Sequence, residues 1–156
     1  MNALDHQLLV LACAEPGEWS PGGLVLGVEL DIMVLGSASK ELGHTLEEVQ
    51  AARERLVRAG LLYPGAVRLM AWPRSLVKDL HRAIMARVGI SPPSGLTARE
   101  IAEAIGRAKP SGDPDGGLQD ALDYLYLAGH LSPPSALWPT AAGRARVEAD
   151  GARVAA

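Results

Sequence analysis

Histidine, cysteine and carboxylate side chains most often carry metal or acid–base chemistry, and in this chain they are scattered. His6, His44, His81 and His130 fall in four different segments, and the single cysteine, Cys13, has no partner thiol. Zinc sites need ligand pairs a few residues apart, so neither a metal site nor an internal disulfide is expected. Cys13 sits in an apolar run and reads as a small buried hydrophobe. Asp113 and Asp115 lie in the loop RAKPSGDPDGG at 107–117. Its Pro110 and Pro114, and the lack of a closing glutamate, do not fit a calcium loop. Gly22-Gly23 and Gly116-Gly117 read as turns rather than a phosphate cradle. Gly36-Ser37 lacks a nucleophile-elbow pattern. The residues point to no enzyme, no metal and no cofactor.

The elements that position the polar residues are written twice. Residues 49–62 read VQAARERLVRAGLL and residues 118–131 read LQDALDYLYLAGHL. Superposed, Val49 meets Leu118, Gln50 meets Gln119, Leu56 meets Leu125, Gly60 meets Gly129 and Leu62 meets Leu131. Each copy runs into an extended stretch ending in Trp-Pro, at Trp72-Pro73 and Trp138-Pro139. Repetition of a helix, a glycine stop and an extended segment predicts two similar small units, with residues 1–74 as the first and 75–156 as the second. At matching positions, Trp72 and Trp138 read as core plugs in preference to base-stacking platforms.

Around the repeat, residues 3–14 carry helical spacing through Leu4, Leu8 and Leu11. Trp19 to Gly23 is turn-rich. Residues 24–35 alternate as a strand does and also fit a helix. Residues 37–43 (SASKELG) form a short helix, followed by Thr45 and Glu48 as a capping box for a helix over 46–59. Residues 61–72 read as a hairpin turning at Pro64-Gly65. Helices follow over 75–88 and 97–106, the latter with a second capping box, Thr97 with Glu100. Residues 132–138 form a shorter wing, and Thr140 caps a last Ala-rich helix.

Bulk composition agrees with a mainly α fold. Hydrophobic residues make up 48 %, aromatics 4 %, and phenylalanine is absent, so the core is built of Leu, Val, Ile and Ala. Net charge is −3. Up to Arg74 there are 6 Lys or Arg against 9 Asp or Glu, and beyond it 9 against 9. A nucleic-acid binder carries a basic footprint, and none exists in bulk. The apolar stretch 24–35 is broken by Glu29 and Asp31 and falls short of the roughly 20 residues a membrane span needs. No basic segment precedes the apolar run 8–14, so no signal peptide is expected, and a cytoplasmic location follows from that and from the lone cysteine. Arginine outnumbers lysine 12 to 3, which suggests a GC-rich bacterial or phage genome.

Two segments resemble the winged helix-turn-helix family. SASKELGHTLEEVQAARERLVRAGLL, residues 37–62, follows its order of short helix, Leu-Gly, tight turn, longer helix and Gly-Leu-Leu. LTAREIAEAIG from Leu96, GLQDALDYLYLAGHL and LWPTAAGRARVE at 137–148 follow it again. The resemblance implies two tandem winged-helix units, mainly α with small β-hairpin wings, in a DNA-binding transcriptional regulator. In that family the longer helix enters the major groove and the wing touches phosphates. Carried onto this chain, Thr45 and Gln50 in the first unit and Gln119 in the second would face bases. Arg53 lies later on the first helix, and Arg68, Arg74, Arg99, Arg107 and Lys109 would contact phosphates across both units. Of the remaining reading positions, Glu47, Glu48, Glu54, Asp120 and Asp123 are acidic, and Ala51 and Gly117 are neutral. Residues 107–117 also enlarge the turn of the second unit, which would shift its second helix. The competing function is an acidic winged-helix protein-interaction module, an adaptor in a chromosome, polymerase or phage–host complex, without direct DNA binding. Partners are therefore double-stranded DNA or a protein, with no membrane. Residues 3–14 and the last helix offer surfaces for a homodimer.

Overall fold

The computed structural model describes residues 1–14, 24–25, 28–29, 33–92 and 94–155. The turn-rich stretch 19–23 and part of the ambiguous stretch 24–35 lie outside these. Seven helices stand among the described residues: α1 (Ala3–Cys13), α2 (Leu35–Leu42), α3 (Leu46–Arg58), α4 (Asp79–Gly89), α5 (Ala98–Ile105), α6 (Gly116–Leu127) and α7 (Ala141–Ala155). Four two-residue strands accompany them: β1 (Leu24–Val25), β2 (Val28–Glu29), β3 (Arg68–Leu69) and β4 (Leu131–Ser132). The chain is thus mainly helical with small antiparallel pairings.

Helix ends follow the sequence signals closely. Thr45 accepts from the Glu48 amide at 3.2 Å while the Glu48 carboxylate reaches back to the Thr45 backbone, and Thr97 with Glu100 repeats the device on α5. Gly60 and Gly129 stop α3 and α6 at φ 75° and 79°, where a side chain would be strained. The Thr140 hydroxyl donates to the Gly60 carbonyl at 2.6 Å and accepts from the Gly143 amide at 3.1 Å, capping α7 as expected. Helix α4 begins at Asp79, four residues later than the apolar spacing from Ser75 predicts.

The chain divides into two compact units, and the division is nested. Unit 1 comprises Met1–Leu24, Glu29–Pro64 and Ser135–Ala156, and unit 2 comprises Val25–Val28 and Gly65–Pro134. The core of unit 1 joins Leu8, Leu9, Val49 and Leu56 to Leu137 from beyond the insertion. The core of unit 2 joins Ile84, Ile101, Leu122 and Leu125 to Val67 and Leu131 at its two ends. The sequence-based boundary after Arg74 would instead cut Val67 and β3 away from the core they enter.

The strand pairings explain the nesting. In unit 1 the central segment is 136–139, whose Ala136 pairs with Val34 and Pro139 with Leu62, both antiparallel. The Leu137 amide donates to Met33 at 2.9 Å, and the Tyr63 amide to Trp138 at 2.9 Å. In unit 2 the central segment is 67–69, whose Val67 pairs with Leu96 and Leu69 with Leu131. Val34 and Leu96 each precede a short helix, and Leu62 and Leu131 are equivalent positions of the repeat. The two return strands are therefore exchanged. The segment after α3 completes the set that holds α6, and the segment after α6 completes the set that holds α3. The expected hairpin at 61–72 does not close on itself, nor does the wing at 132–138. Pro64, Pro133 and Pro134 stand in the connections, and proline cannot donate to a ladder closed across them.

Candidate functional site

The two repeated helices hold the residues expected to read a ligand. On α3, Thr45 spends its hydroxyl on the cap, where it also lies 3.0 Å from Glu48 Oε1. His44 Nδ1 meets Glu48 Oε2 at 2.9 Å. The hydrogen bond from His44, followed by those from Thr45, holds the Glu48 carboxyl below its ordinary pKa. Gln50 is exposed beside Leu46, Glu47 and Glu54. Arg53 points the other way: it is only 7 % exposed, and its Nη2 donates to the Ala136 carbonyl at 3.1 Å. Burial lowers its pKa. Arg55 forks onto Asp5 of α1 at 2.7–3.1 Å. Of the three arginines late on this helix, Arg53 thus serves the interior of unit 1, Arg55 covers the buried Asp5 from a half-exposed position, and Arg58 is exposed.

On α6 the cap is Asp115, which accepts from the Leu118 amide at 2.8 Å and from Arg107 Nε at 3.0 Å. The bond from Leu118 comes first and that from Arg107 second in keeping the Asp115 carboxyl below the usual range. Gln119 donates to Asp123 at 3.0 Å, and Asp120 is exposed. The enlarged turn closes on itself. The Asp115 amide donates to the Arg107 carbonyl at 2.8 Å, the Lys109 amide to Asp113 at 2.7 Å, and Ala108 bridges Pro114. Arg99 holds its far side through Asp113 at 3.3 Å and the Ser111 carbonyl. The eleven-residue insertion expected at 107–117 is therefore a self-tied loop that starts and ends at one place.

The basic residues expected to span both units, Arg68, Arg74, Arg99, Arg107 and Lys109, all belong to unit 2. Arg99 and Arg107 are tied to carboxylates. Arg68 is half-buried on β3, and Arg74 and Lys109 are exposed. Trp72 is 59 % exposed and lies against Gly89 of α4, where an added Cβ would push the ring aside. It is not the core plug expected, and it does not correspond to the half-buried Trp138, because Leu69, paired with Leu131, is the position equivalent to Pro139, paired with Leu62.

One concave feature of unit 2 escaped the sequence reading. A groove of about 480 Å³ runs between α6 and the segment leading into α4. Its α6 wall is Gly117, Asp120, Ala121 and Tyr124, the i, i+3, i+4, i+7 stripe of one helix face. Facing it are Leu76, Val77 and Leu80, with Lys78 as the cation of the lining. The His81 and Tyr124 rings stack at 4.7 Å and 10°. Burial, helped by Lys78, lowers the His81 pKa. The i+3/i+4 spacing of the α6 stripe was legible, and so was the Leu76–Leu80 spacing opposite it, but nothing local in the sequence sets these two walls face to face.

Among the described residues, no group of three His, Cys, Asp or Glu is placed to hold a metal ion, and no helix is long and apolar enough to cross a membrane. Comparison with protein families, with curated proteins and with solved structures returns no match to this chain.

Proposed function

We propose that the chain is a protein-interaction module made of two winged-helix-type units whose wing strands are exchanged, and that it does not read DNA. The order of elements supports the scaffold. Each unit has a leading helix, a bridging residue, a short helix, a longer helix stopped by left-handed glycine, and a central strand between two others. The acidic surface of the longer helices carries the functional reading. Glu47, Glu48 and Glu54 on α3 and Asp120 and Asp123 on α6 stand where a reading helix meets bases and phosphates. Phosphate neutralisation supplies most non-specific affinity for DNA. One carboxylate can read cytosine, but a row of them repels the backbone. Of the three arginines of α3, Arg53 is buried and Arg55 is held by Asp5, which leaves Arg58 as the one of the three not engaged in these contacts against that row.

The test is fluorescence anisotropy with a labelled random duplex at rising salt. The expected outcome is weak binding that barely changes between 50 and 200 mM salt. Affinity falling about a thousandfold or more over that range, as several phosphate contacts require, would establish DNA binding instead, with Arg74 and Lys109 as the first residues to mutate.

A further inference from the structure

We infer that the groove between α6 and the α4 approach docks a short segment of a partner protein carrying a large apolar side chain beside a lysine or arginine. The inference rests on the protein-interaction reading and names its surface. The groove is apolar along Leu76, Leu80 and Ala121 and open at its rims, where Val77 is 91 % and Tyr124 49 % exposed. Small-molecule pockets enclose most of their ligand, whereas an open trough suits a chain lying along it. Its walls are held in place. The Tyr124 ring is backed by His81, and Arg82 donates to the Leu76 and Val77 carbonyls.

Charge selects the occupant. Helix α6 carries no lysine or arginine, and its groove stripe presents the exposed carboxylate of Asp120, with Asp123 one turn further along the helix. A cation of the partner meets that wall, and its backbone carbonyls face Lys78 on the other. An apolar anchor filling the space between them supplies most of the affinity, as buried side chains do at interface centres.

The experiment pans the full chain against displayed random dodecapeptides and remeasures synthetic versions of the enriched sequences by anisotropy. The expected peptides pair an aromatic or large aliphatic residue with Lys or Arg. Asp120→Lys and Val77→Asp should each weaken them about tenfold or more, while Glu103→Lys on α5 should leave them unchanged. Both groove positions are exposed, and amide spectra of the free variants check that the fold is intact. Enriched peptides that lack basic residues, or that ignore both groove substitutions, overturn the inference. If those peptides instead respond to Glu47→Lys on α3, the protein-interaction reading survives without the groove. Failure to enrich any peptide overturns the groove. Together with steep salt-dependent duplex binding, it overturns the wider reading as well.

Discussion

Arg53 shows how one side chain changes its meaning once its surroundings are fixed. In sequence it is one of three arginines on a polar helix segment. In the fold its guanidinium donates to the Ala136 carbonyl from a buried position, 83 residues away along the chain. Arg53→Met removes that donor and leaves a buried carbonyl unpaired, so urea denaturation should show a loss of about 1–3 kcal/mol. Unchanged stability would mean that the bond contributes nothing. Asp115 makes the matching prediction for pH. Its carboxyl pKa is depressed by the Leu118 amide and Arg107. The stabilisation is therefore complete above the ordinary carboxylate pKa and is lost as pH falls through the lower folded value. Asp115→Asn should flatten the acid limb of a pH–stability curve, and an unaltered limb would refute the linkage.

At the scale of elements, local signals were the most readable. Both capping boxes, the glycine stops at Gly60 and Gly129 and the Thr140 cap are short-range devices, set by residues three or four apart. Thr97→Ala should cost about 1 kcal/mol by removing an N-cap, seen as a lower thermal midpoint for unit 2. Gly95→Ala should cost about 1–3 kcal/mol from backbone strain alone. Its φ is +79°, and the added Cβ would meet the Val67 carbonyl, so the bridge between Val67 and Leu96 would open. Amide exchange at these two residues reports that opening. The return strands were not readable in the same way. Residues 67–69 (VRL) and 136–139 (ALWP) are too short to carry a pattern that names a partner strand, so local reading cannot choose between the two units. The candidate groove was half readable for a related reason: the spacing along each wall is local, but which walls face each other is not.

For the whole molecule the exchange predicts how the chain can be cut. Gly65–Pro134 carries both ends of its own strand set and its own core. An excised 65–134 fragment should therefore fold with a single cooperative transition. Residues 1–74, the unit expected from the sequence, lack Leu137, Pro139 and α7 and should remain unfolded by circular dichroism. A peptide spanning 135–156 should restore helicity when added to 1–64. A folded 1–74 fragment would show that its strand closes locally and that the exchange is dispensable.

The sequence by itself determined the helices, their caps and the existence of two related units, because each depends on residues within a turn or two of one another. It also determined that the surface of the longer helices is acidic. Only the tertiary structure decided which strand completes which unit, that Arg53 turns inward and where a groove opens. Those outcomes depend on pairing and burial between residues far apart in the chain, where two equivalent copies compete for the same partners.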